Sequence, residues 1–373
     1  MESSKLISDF IPLMRPSILE EDIAAVVKVL RSGMLVQGTE VDLLEQRLTH
    51  FFDTPSTMVA NGTATLHLAL VALGIGSGDE VIVPAFSYIA TANVVELVGA
   101  TPIFVDIDLR SYNIDVLKIE EKISSRTKAI IPVHEFGLAC DISEIVRIAT
   151  LRNIYVIEDA ACALGSTVDG RPVGTFGTFG SFSFHPRKAI TSGEGGALIC
   201  DEKALIDSVR ALRNHGIESV NNKQEFTKAG FNYRMTDFQA ALLQSQLNRL
   251  EKILFMKNEL AQVYFNEIQS QNILLPVVPD NKKHSWQTFH TLLADGIVRD
   301  LIITKLKSKG IGSNYGAQCI PAQKFYQEKY HLECEKLFPN ALHAYNNGLA
   351  IPMYDGLSKE KISYVAKTLN NII

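Results

Sequence analysis

The sequence lacks most of the features that mark secreted, membrane-bound and nucleic-acid-binding proteins. Its 5 cysteines are an odd number without a CxxC pair, which disfavours a disulfide framework or a zinc site and favours a reducing compartment. Its apolar runs are far shorter than the roughly 20 residues of a membrane span, and its N-terminus does not resemble a signal peptide. A formal net charge of −5 provides no basic surface for nucleic acid or anionic lipid. We therefore expect a cytoplasmic protein without a metal, nucleic-acid or membrane partner.

Short apolar runs alternate with helix-like segments through the first part of the chain. Runs typical of strands occupy residues 57–61, 79–84, 101–106, 127–134, 154–159, 179–184 and 196–201. Strands and amphipathic helices in alternation predict an α/β fold, with a mostly parallel sheet covered on both faces. Ligands bind to such sheets at the carboxyl ends of the strands.

The pattern changes near residue 235. Apolar positions then recur every three or four residues over 235–268, which predicts long helices. Residues 271–373 mix short strands with helices. We therefore expect a large α/β domain over residues 1–250 and a smaller α+β domain over residues 251–373, with about 20 N-terminal residues packing against the smaller domain.

Polar residues stand where several of the predicted strands end. Gly62 and Thr63 open a helix after the first strand, and the free N–H groups at a helix start suit a phosphate. The same residues are also compatible with an ordinary strand-to-helix turn. Tyr88 lies in the next strand-to-helix loop, where its ring suits either a flat ligand or the core or a subunit contact.

Two charged residues follow later strands. Asp159 ends the fifth strand, where it faces a protonated heterocycle or caps a helix that starts at Ala160. Lys188 follows the strand that contains Ser183, and alone it would be read as a solvated loop lysine. Together these residues match pyridoxal 5′-phosphate, because its aldehyde needs a lysine amine, its ring nitrogen an acid, and its phosphate amides and hydroxyls.

Longer stretches of the chain resemble the DegT/DnrJ/EryC1/StrS family of sugar aminotransferases. The similar stretches are residues 32–45, 61–93, 99–108, 127–137, 157–166, 181–196 and 230–241. The resemblance implies the aspartate-aminotransferase type of pyridoxal phosphate fold (fold type I) and a homodimer with active sites shared across its interface.

The resemblance also assigns roles to individual residues. Lys188 would form the Schiff base with the cofactor and later act as acid and base, and Asp159 would pair with the pyridine nitrogen. Tyr88 would stack on the ring. The remaining assignments are the phosphate contacts Gly62, Thr63 and Ser183, the phosphate contact Asn232 from the partner subunit, and Cys162 near the phenolic oxygen.

The implied reaction moves an amino group from an amino acid, glutamate by analogy, to a nucleotide-linked keto-sugar. By the same analogy the sugar is a 4-keto-6-deoxy sugar used in surface polysaccharide or glycan biosynthesis. A sugar dehydratase that binds the same cofactor and a non-catalytic regulator remain alternatives, although Lys188 and Asp159 are both present. A nucleotide-dependent oxidoreductase is disfavoured, because Gly174, Gly177 and Gly180 lack GxGxxG spacing and lead into a strand.

The chain differs from the family pattern at two places. Position 162 is commonly glutamine or histidine, which hydrogen-bond well, whereas Cys162 is a weak donor. Many relatives also have a histidine in the substrate segment that corresponds to residues 314–326, and this chain has none there.

Overall fold

The computed structural model describes residues 10–373. The expectation for the N-terminal segment therefore falls partly on residues 1–9, outside the described residues. Within the described part, the Ile11 N–H donates to the carbonyl of Gly310 at 2.7 Å, and the Ile11 carbonyl accepts from Gly312 at 2.8 Å. This segment thus lies against the C-terminal third of the chain.

The secondary structure follows the alternation expected from the sequence. The strands are β1 Ser56–Val59, β2 Glu80–Pro84, β3 Phe86–Ser87, β4 Thr101–Val105, β5 Thr127–Ile130, β6 Tyr155–Asp159, β7 Thr167–Val168, β8 Arg171–Pro172, β9 Phe179–Ser183, β10 Gly196–Ile199, β11 Ile217–Val220, β12 Lys223–Phe226, β13 Ile273–Leu274, β14 Lys282–Lys283, β15 Phe289–Leu293, β16 Gln318–Cys319 and β17 Gly348–Ile351. The α-helices are α1 Glu20–Ser32, α2 Thr39–Phe52, α3 Gly62–Ala72, α4 Ala90–Leu97, α5 Ile142–Arg152, α6 Lys203–Leu212, α7 Asp237–Leu247, α8 Leu250–Glu267, α9 Arg299–Ser308, α10 Lys324–Tyr330, α11 Cys334–Leu337, α12 Pro339–Asn347 and α13 Lys359–Ile372.

Seven strands form the largest sheet within residues 10–373, in the order β1-β10-β9-β6-β5-β2-β4. The pairs β2/β4, β2/β5, β5/β6 and β6/β9 are parallel, and β10 runs antiparallel to both of its neighbours. Every residue of β1, β2 and β10 is buried, as expected for a sheet with helices on both faces. The predicted α/β fold with a mostly parallel sheet is confirmed.

Besides the hydrophobic core around the large sheet, a second hydrophobic cluster lies in the C-terminal part of the chain. Strand β15 is the central strand of a three-stranded sheet with β13 and β17, and its Phe289 packs with Trp286 and Tyr264 in this cluster. Helix α8 contacts both clusters, since Leu250 belongs to the core of the large sheet and Leu260 to the second cluster. We therefore propose that the two domains meet along α8, close to the expected boundary at residue 250. Across residues 10–373, none of the helices combines the length and apolar character that crossing a bilayer requires.

The buried carboxylate of Glu158 connects three segments at one edge of the large sheet. Glu158 is fully buried, and it accepts the backbone N–H groups of Gly174, Phe176 and Gly177, each at 2.7 Å. It also contacts His134 Nε2 at 3.0 Å. The Nδ1 atom of His134 accepts the backbone N–H of Cys140 at 3.1 Å, so the Nε2 atom carries the proton and donates to the carboxylate. Glu158 thereby holds the end of β6, the segment after β5 and the chain entering β9 in one arrangement.

We expect Glu158→Ala to lower the free energy of unfolding by about 3 kcal/mol or more, because it leaves three backbone N–H groups without an acceptor. Chemical denaturation followed by circular dichroism measures the loss. Glu144→Ala is the matched control, since Glu144 is half exposed and pairs only with Arg147 on the surface of α5, and it should change stability by less than about 0.5 kcal/mol. Equal effects of the two substitutions would contradict the connecting role of Glu158.

Candidate active site

The segments that follow the parallel strands meet at one edge of the large sheet. Strands β1, β2, β5, β6 and β9 run in the same direction, because β10 is antiparallel to both β9 and β1. Their carboxyl ends therefore lie at the same edge, where open α/β sheets bind ligands. All the candidate residues except Asn232 stand at or just beyond these strand ends.

Asp159 is the last residue of β6 and is 5% exposed. Its carboxylate accepts the hydroxyl of Thr91 at 2.9 Å and the backbone N–H of Ala161 at 3.2 Å. Burial raises the pKa of Asp159 by more than these hydrogen bonds and the nearby cation Lys188 lower it. A turn follows Asp159 rather than an α-helix, so the carboxylate does not cap a helix. It is held in a dry environment that favours a cationic partner.

Lys188 lies in the loop between β9 and β10 and reaches back to the segment after β6. Its Nζ atom donates to Cys162 Sγ at 3.1 Å. Burial lowers the pKa of Lys188, but the nearby acidic groups Cys162, Asp159 and Glu135 raise it by more. Burial also raises the pKa of Cys162, which keeps this residue a thiol rather than a thiolate at neutral pH. The structure thus brings Lys188, Cys162 and Asp159 together.

Gly62 and Ser183 form a second corner of the site. Asn61 caps α3 by accepting the N–H of Ala64 at 2.8 Å, so Gly62 begins the helix. A Cβ atom on Gly62 would stand 2.7 Å from the Cβ of Ser183, closer than real Cβ contacts allow. Only glycine therefore permits this approach between the start of α3 and the end of β9. Thr63 follows on the exposed side of the first turn.

Tyr88 and Asn232 are both exposed. Tyr88 is 65% exposed, and its backbone carbonyl accepts the N–H of Thr91, the residue that binds Asp159. Tyr88 is therefore not a core residue, and its loop adjoins Thr91, the partner of Asp159. Asn232 lies before α7, in a segment whose next residue, Tyr233, accepts the N–H of Ala60 at 2.8 Å. Within residues 10–373, no hydrogen bond joins the Asn232 side chain to the other candidate residues.

The structure adds Glu135 and Lys257 to the residues inferred from the sequence. Glu135 follows β5 and is 4% exposed; an acid directly after an apolar strand was the available signal, as it was for Asp159. Lys257 is buried in α8, and burial lowers its pKa to about 8. Its position within an amphipathic helix carries no signal in the sequence, because lysines commonly occupy the solvated face of such helices.

The segment over residues 314–326 runs beside the loop that contains Tyr88. Its strand β16 pairs antiparallel with β3, with Gln318 opposite Ser87. A histidine from another strand, His290 of β15, contacts this segment through Nε2, which lies 3.3 Å from the carbonyl of Tyr315. Burial lowers the pKa of His290 to about 3, so the ring is neutral and donates this hydrogen bond. The segment without a histidine therefore still borders the site.

The described residues fit pyridoxal 5′-phosphate. The close approach of Gly62 to Ser183 at a helix start suits a phosphate. The buried carboxylate of Asp159 suits a protonated ring nitrogen, and the partly buried amine of Lys188 suits a Schiff base with the aldehyde. A large mostly parallel sheet with this set of residues at its carboxyl edge defines an enzyme of the pyridoxal phosphate-dependent fold type I.

The chain belongs to the DegT/DnrJ/EryC1/StrS aminotransferase family, whose model matches residues 16–370. It is 36% identical to the GDP-perosamine synthase of Escherichia coli O157:H7 over 97% of this chain and 98% of that protein. It is 34% identical to the spore coat polysaccharide biosynthesis protein SpsC of Bacillus subtilis, over 98% of this chain and 97% of that protein.

Solved structures agree with this assignment. Spr1654 of Streptococcus pneumoniae in its PLP form superposes with a TM-score of 0.92 at 30% identity, covering 97% of this chain and 98% of that one. The Helicobacter pylori aminotransferase PseC, involved in the biosynthesis of pseudoaminic acid, has a TM-score of 0.92 at 26% identity, over 97% and 99% of the two chains. The predicted fold, cofactor and enzyme class are confirmed: this is a sugar aminotransferase that uses pyridoxal 5′-phosphate.

We expect Cys162 to be the first cysteine that iodoacetamide alkylates, since the other cysteines are buried. Its rate should keep rising above pH 9, because burial raises the pKa of the thiol. Saturating pyridoxal phosphate should slow the labelling at least about tenfold, because Cys162 lies beside Lys188. Peptide mass spectrometry measures the rates. Labelling that is insensitive to the cofactor would place Cys162 outside the cofactor site.

Proposed function

We propose that this enzyme transfers the amino group of glutamate to a nucleotide-linked 4-keto-6-deoxy sugar for surface polysaccharide or glycan biosynthesis. The observation that carries the proposal is the meeting of Lys188, Asp159 and the Gly62–Ser183 corner at one edge of the sheet. The choice of sugar is supported by relatives named for GDP-perosamine synthesis and for spore coat polysaccharide biosynthesis. The choice of glutamate rests on family resemblance.

In this proposal, five residues besides Lys188 hold the cofactor in place. Gly62, Thr63 and Ser183 bind the phosphate through N–H groups and hydroxyls at the start of α3 and the end of β9. Asp159 holds a proton on the ring nitrogen, since a buried carboxylate gains most from a cationic neighbour. Tyr88, exposed beside Asp159, covers one face of the ring.

Bound pyridoxal phosphate supplies an aldehyde that accepts an amine and a ring that takes up the electron pair released when a proton leaves the substrate carbon. Lys188 would hold the aldehyde and, when free, would remove and return that proton at its Nζ atom. In the structure, the hydrogen-bond partner of Nζ is the thiol of Cys162 rather than a carboxylate.

We further propose a homodimer in which Asn232 reaches the phosphate of the partner subunit. Asn232 is exposed, as expected for a residue that acts outside its own chain. An apolar patch lies nearby: Met34 and Val36 are each 68% exposed, and the intervening Leu35 accepts the backbone N–H of Asp237 in α7. Exposed apolar patches of this kind mark protein interfaces. A cytoplasmic location accords with the unpaired cysteines.

The test of the function is a product assay with the purified enzyme, glutamate and a panel of nucleotide-linked 3-keto and 4-keto sugars, analysed by mass spectrometry. We expect a mass change corresponding to replacement of a ketone by an amine in a 4-keto-6-deoxy sugar. Lys188→Ala should abolish steady turnover and the visible absorbance of the bound cofactor, because no amine remains to hold the aldehyde. Lys203→Ala, which changes an exposed lysine of α6, is the control. Amination by Lys188→Ala at a near-normal rate would refute the role of Lys188.

Complementation tests the shared site. We expect Lys188→Ala and Asn232→Asp each to be poorly active, the second because a carboxylate repels the phosphate. After subunit exchange, a mixed dimer has one site with both defects and one with neither. An equal mixture should therefore recover about a quarter of wild-type activity, since about half of the dimers are mixed. Mixed dimers without recovered activity, confirmed by native mass spectrometry, would place Asn232 in its own chain's site.

A further inference from the structure

Glu135 is a buried acid that the proposed roles above do not use. It lies in the turn after β5 and is 4% exposed. Its backbone N–H donates to the side chain of Asn113 at 2.8 Å, and the next residue, Phe136, stacks on His290 with ring centroids 4.3 Å apart. These contacts hold the turn rigidly. The nearby Ser87 hydroxyl lowers the pKa of the carboxyl group, and the Oε2 atom is buried and has no hydrogen-bond partner among residues 10–373.

Such a buried oxygen without a partner is rare in proteins, because the lost hydration is not replaced. The groups around Glu135 are those of the active site. Asp159 and Lys188 both affect its ionisation, and Glu135 in turn affects the ionisation of Cys162 and Lys188. The turn that carries Glu135 also adjoins the site directly: the N–H of His134 donates to the carbonyl of Asp159 at 3.1 Å, and a Cβ atom on Gly137 would stand 3.1 Å from the carbonyl oxygen of Cys162.

The order of the strands determines which edge of the cofactor ring faces Glu135. On the proposed assignments, the ring nitrogen lies at Asp159 on β6 and the aldehyde lies at Lys188. The phosphate arm would then point toward β9 and β1, which end at Ser183 and just before Gly62, on one side of β6. The opposite edge of the ring, which carries the methyl group and the phenolic oxygen, would face β5 on the other side. Of these two substituents, the phenolic oxygen adjoins the aldehyde, and hence Lys188.

We propose that Glu135 donates a hydrogen bond from its free carboxyl oxygen to the phenolic oxygen of pyridoxal phosphate, a contact that the thiol of Cys162 makes only weakly. This inference rests on the proposed cofactor roles of Lys188 and Asp159. A donor is available at neutral pH, because burial and the neighbouring Asp159 raise the pKa of Glu135 to about 8. Below that pH the carboxyl group retains its proton. Above it, the ionised group repels the phenolic oxygen.

The test compares the wild type with Glu135→Gln, which keeps a neutral donor, and Glu135→Leu, which removes it. Two quantities are measured on each protein: the dissociation constant of pyridoxal phosphate, and the pH midpoint of the visible absorption band of the bound cofactor. A donor stabilises the negative charge of the phenolic oxygen and weakens its hold on the proton of the adjacent lysine-derived nitrogen. We therefore expect Glu135→Leu to move the midpoint upward by about one pH unit and to raise the dissociation constant about tenfold.

Glu135→Gln should stay within about 0.3 pH units of the wild type, which is small beside the shift expected from losing a hydrogen bond. Glu144→Leu, on the surface of α5, serves as the control for a glutamate outside the site. A downward shift in Glu135→Leu would overturn the inference, because it would mean that Glu135 acts as an anion. Unchanged values in both Glu135 variants, with only the thermal midpoint of the cofactor-free protein lowered, would overturn it in favour of a structural role. Failure of the proposed function is distinguishable, because the wild type would then show no visible band, or Lys188→Ala would retain it.

Discussion

The arrangement of the active site depends on the buried carboxylate of Glu158. It accepts three backbone N–H groups from residues 174–177 and one ring N–H from His134. Asp159 follows Glu158 in sequence, and Glu135 follows its partner His134. A single buried acceptor thus joins the carboxyl ends of β5 and β6 to the chain that enters β9. Hydrogen bonds to a charged group in a dry environment are among the stronger ones in proteins.

Exclusion of water from this edge of the sheet determines the protonation states of its acidic groups. Burial raises the pKa values of Asp159, Glu135 and Cys162, because each group loses hydration when it ionises. A cationic ring nitrogen placed beside Asp159 would stabilise the ionised form of Asp159 and would leave the other two groups protonated. In the proposals above, the same environment holds an ionised Asp159 at the ring nitrogen and a protonated Glu135 at the phenolic oxygen, so that one buried site separates the protonation states of two acids.

Much of the candidate site could be predicted from local sequence. Gly62, Asp159 and Lys188 were recognisable because Asp159 ends a run that forms a buried strand and the other two follow such runs within five residues. Glu135 has the same kind of position after β5, but the sequence does not show that its free oxygen lacks a partner. Lys257 could not be identified, since its burial follows from the packing of α8 between two hydrophobic clusters. The pairing of β16 with β3 was also unpredictable, because it joins short segments more than 200 residues apart.

The sequence by itself determined the type of fold, since short continuous apolar runs that alternate with helical patterns indicate strands covered by helices on both faces. It also determined the cofactor, because the residue types at successive strand ends match one chemistry. Only the tertiary structure decided the order of the strands across the sheet, and with it which strand ends lie next to one another. Strand order depends on long-range pairing and on buried hydrogen bonds such as those of Glu158. Those interactions join residues far apart in the chain, and no periodic pattern in the sequence predicts them.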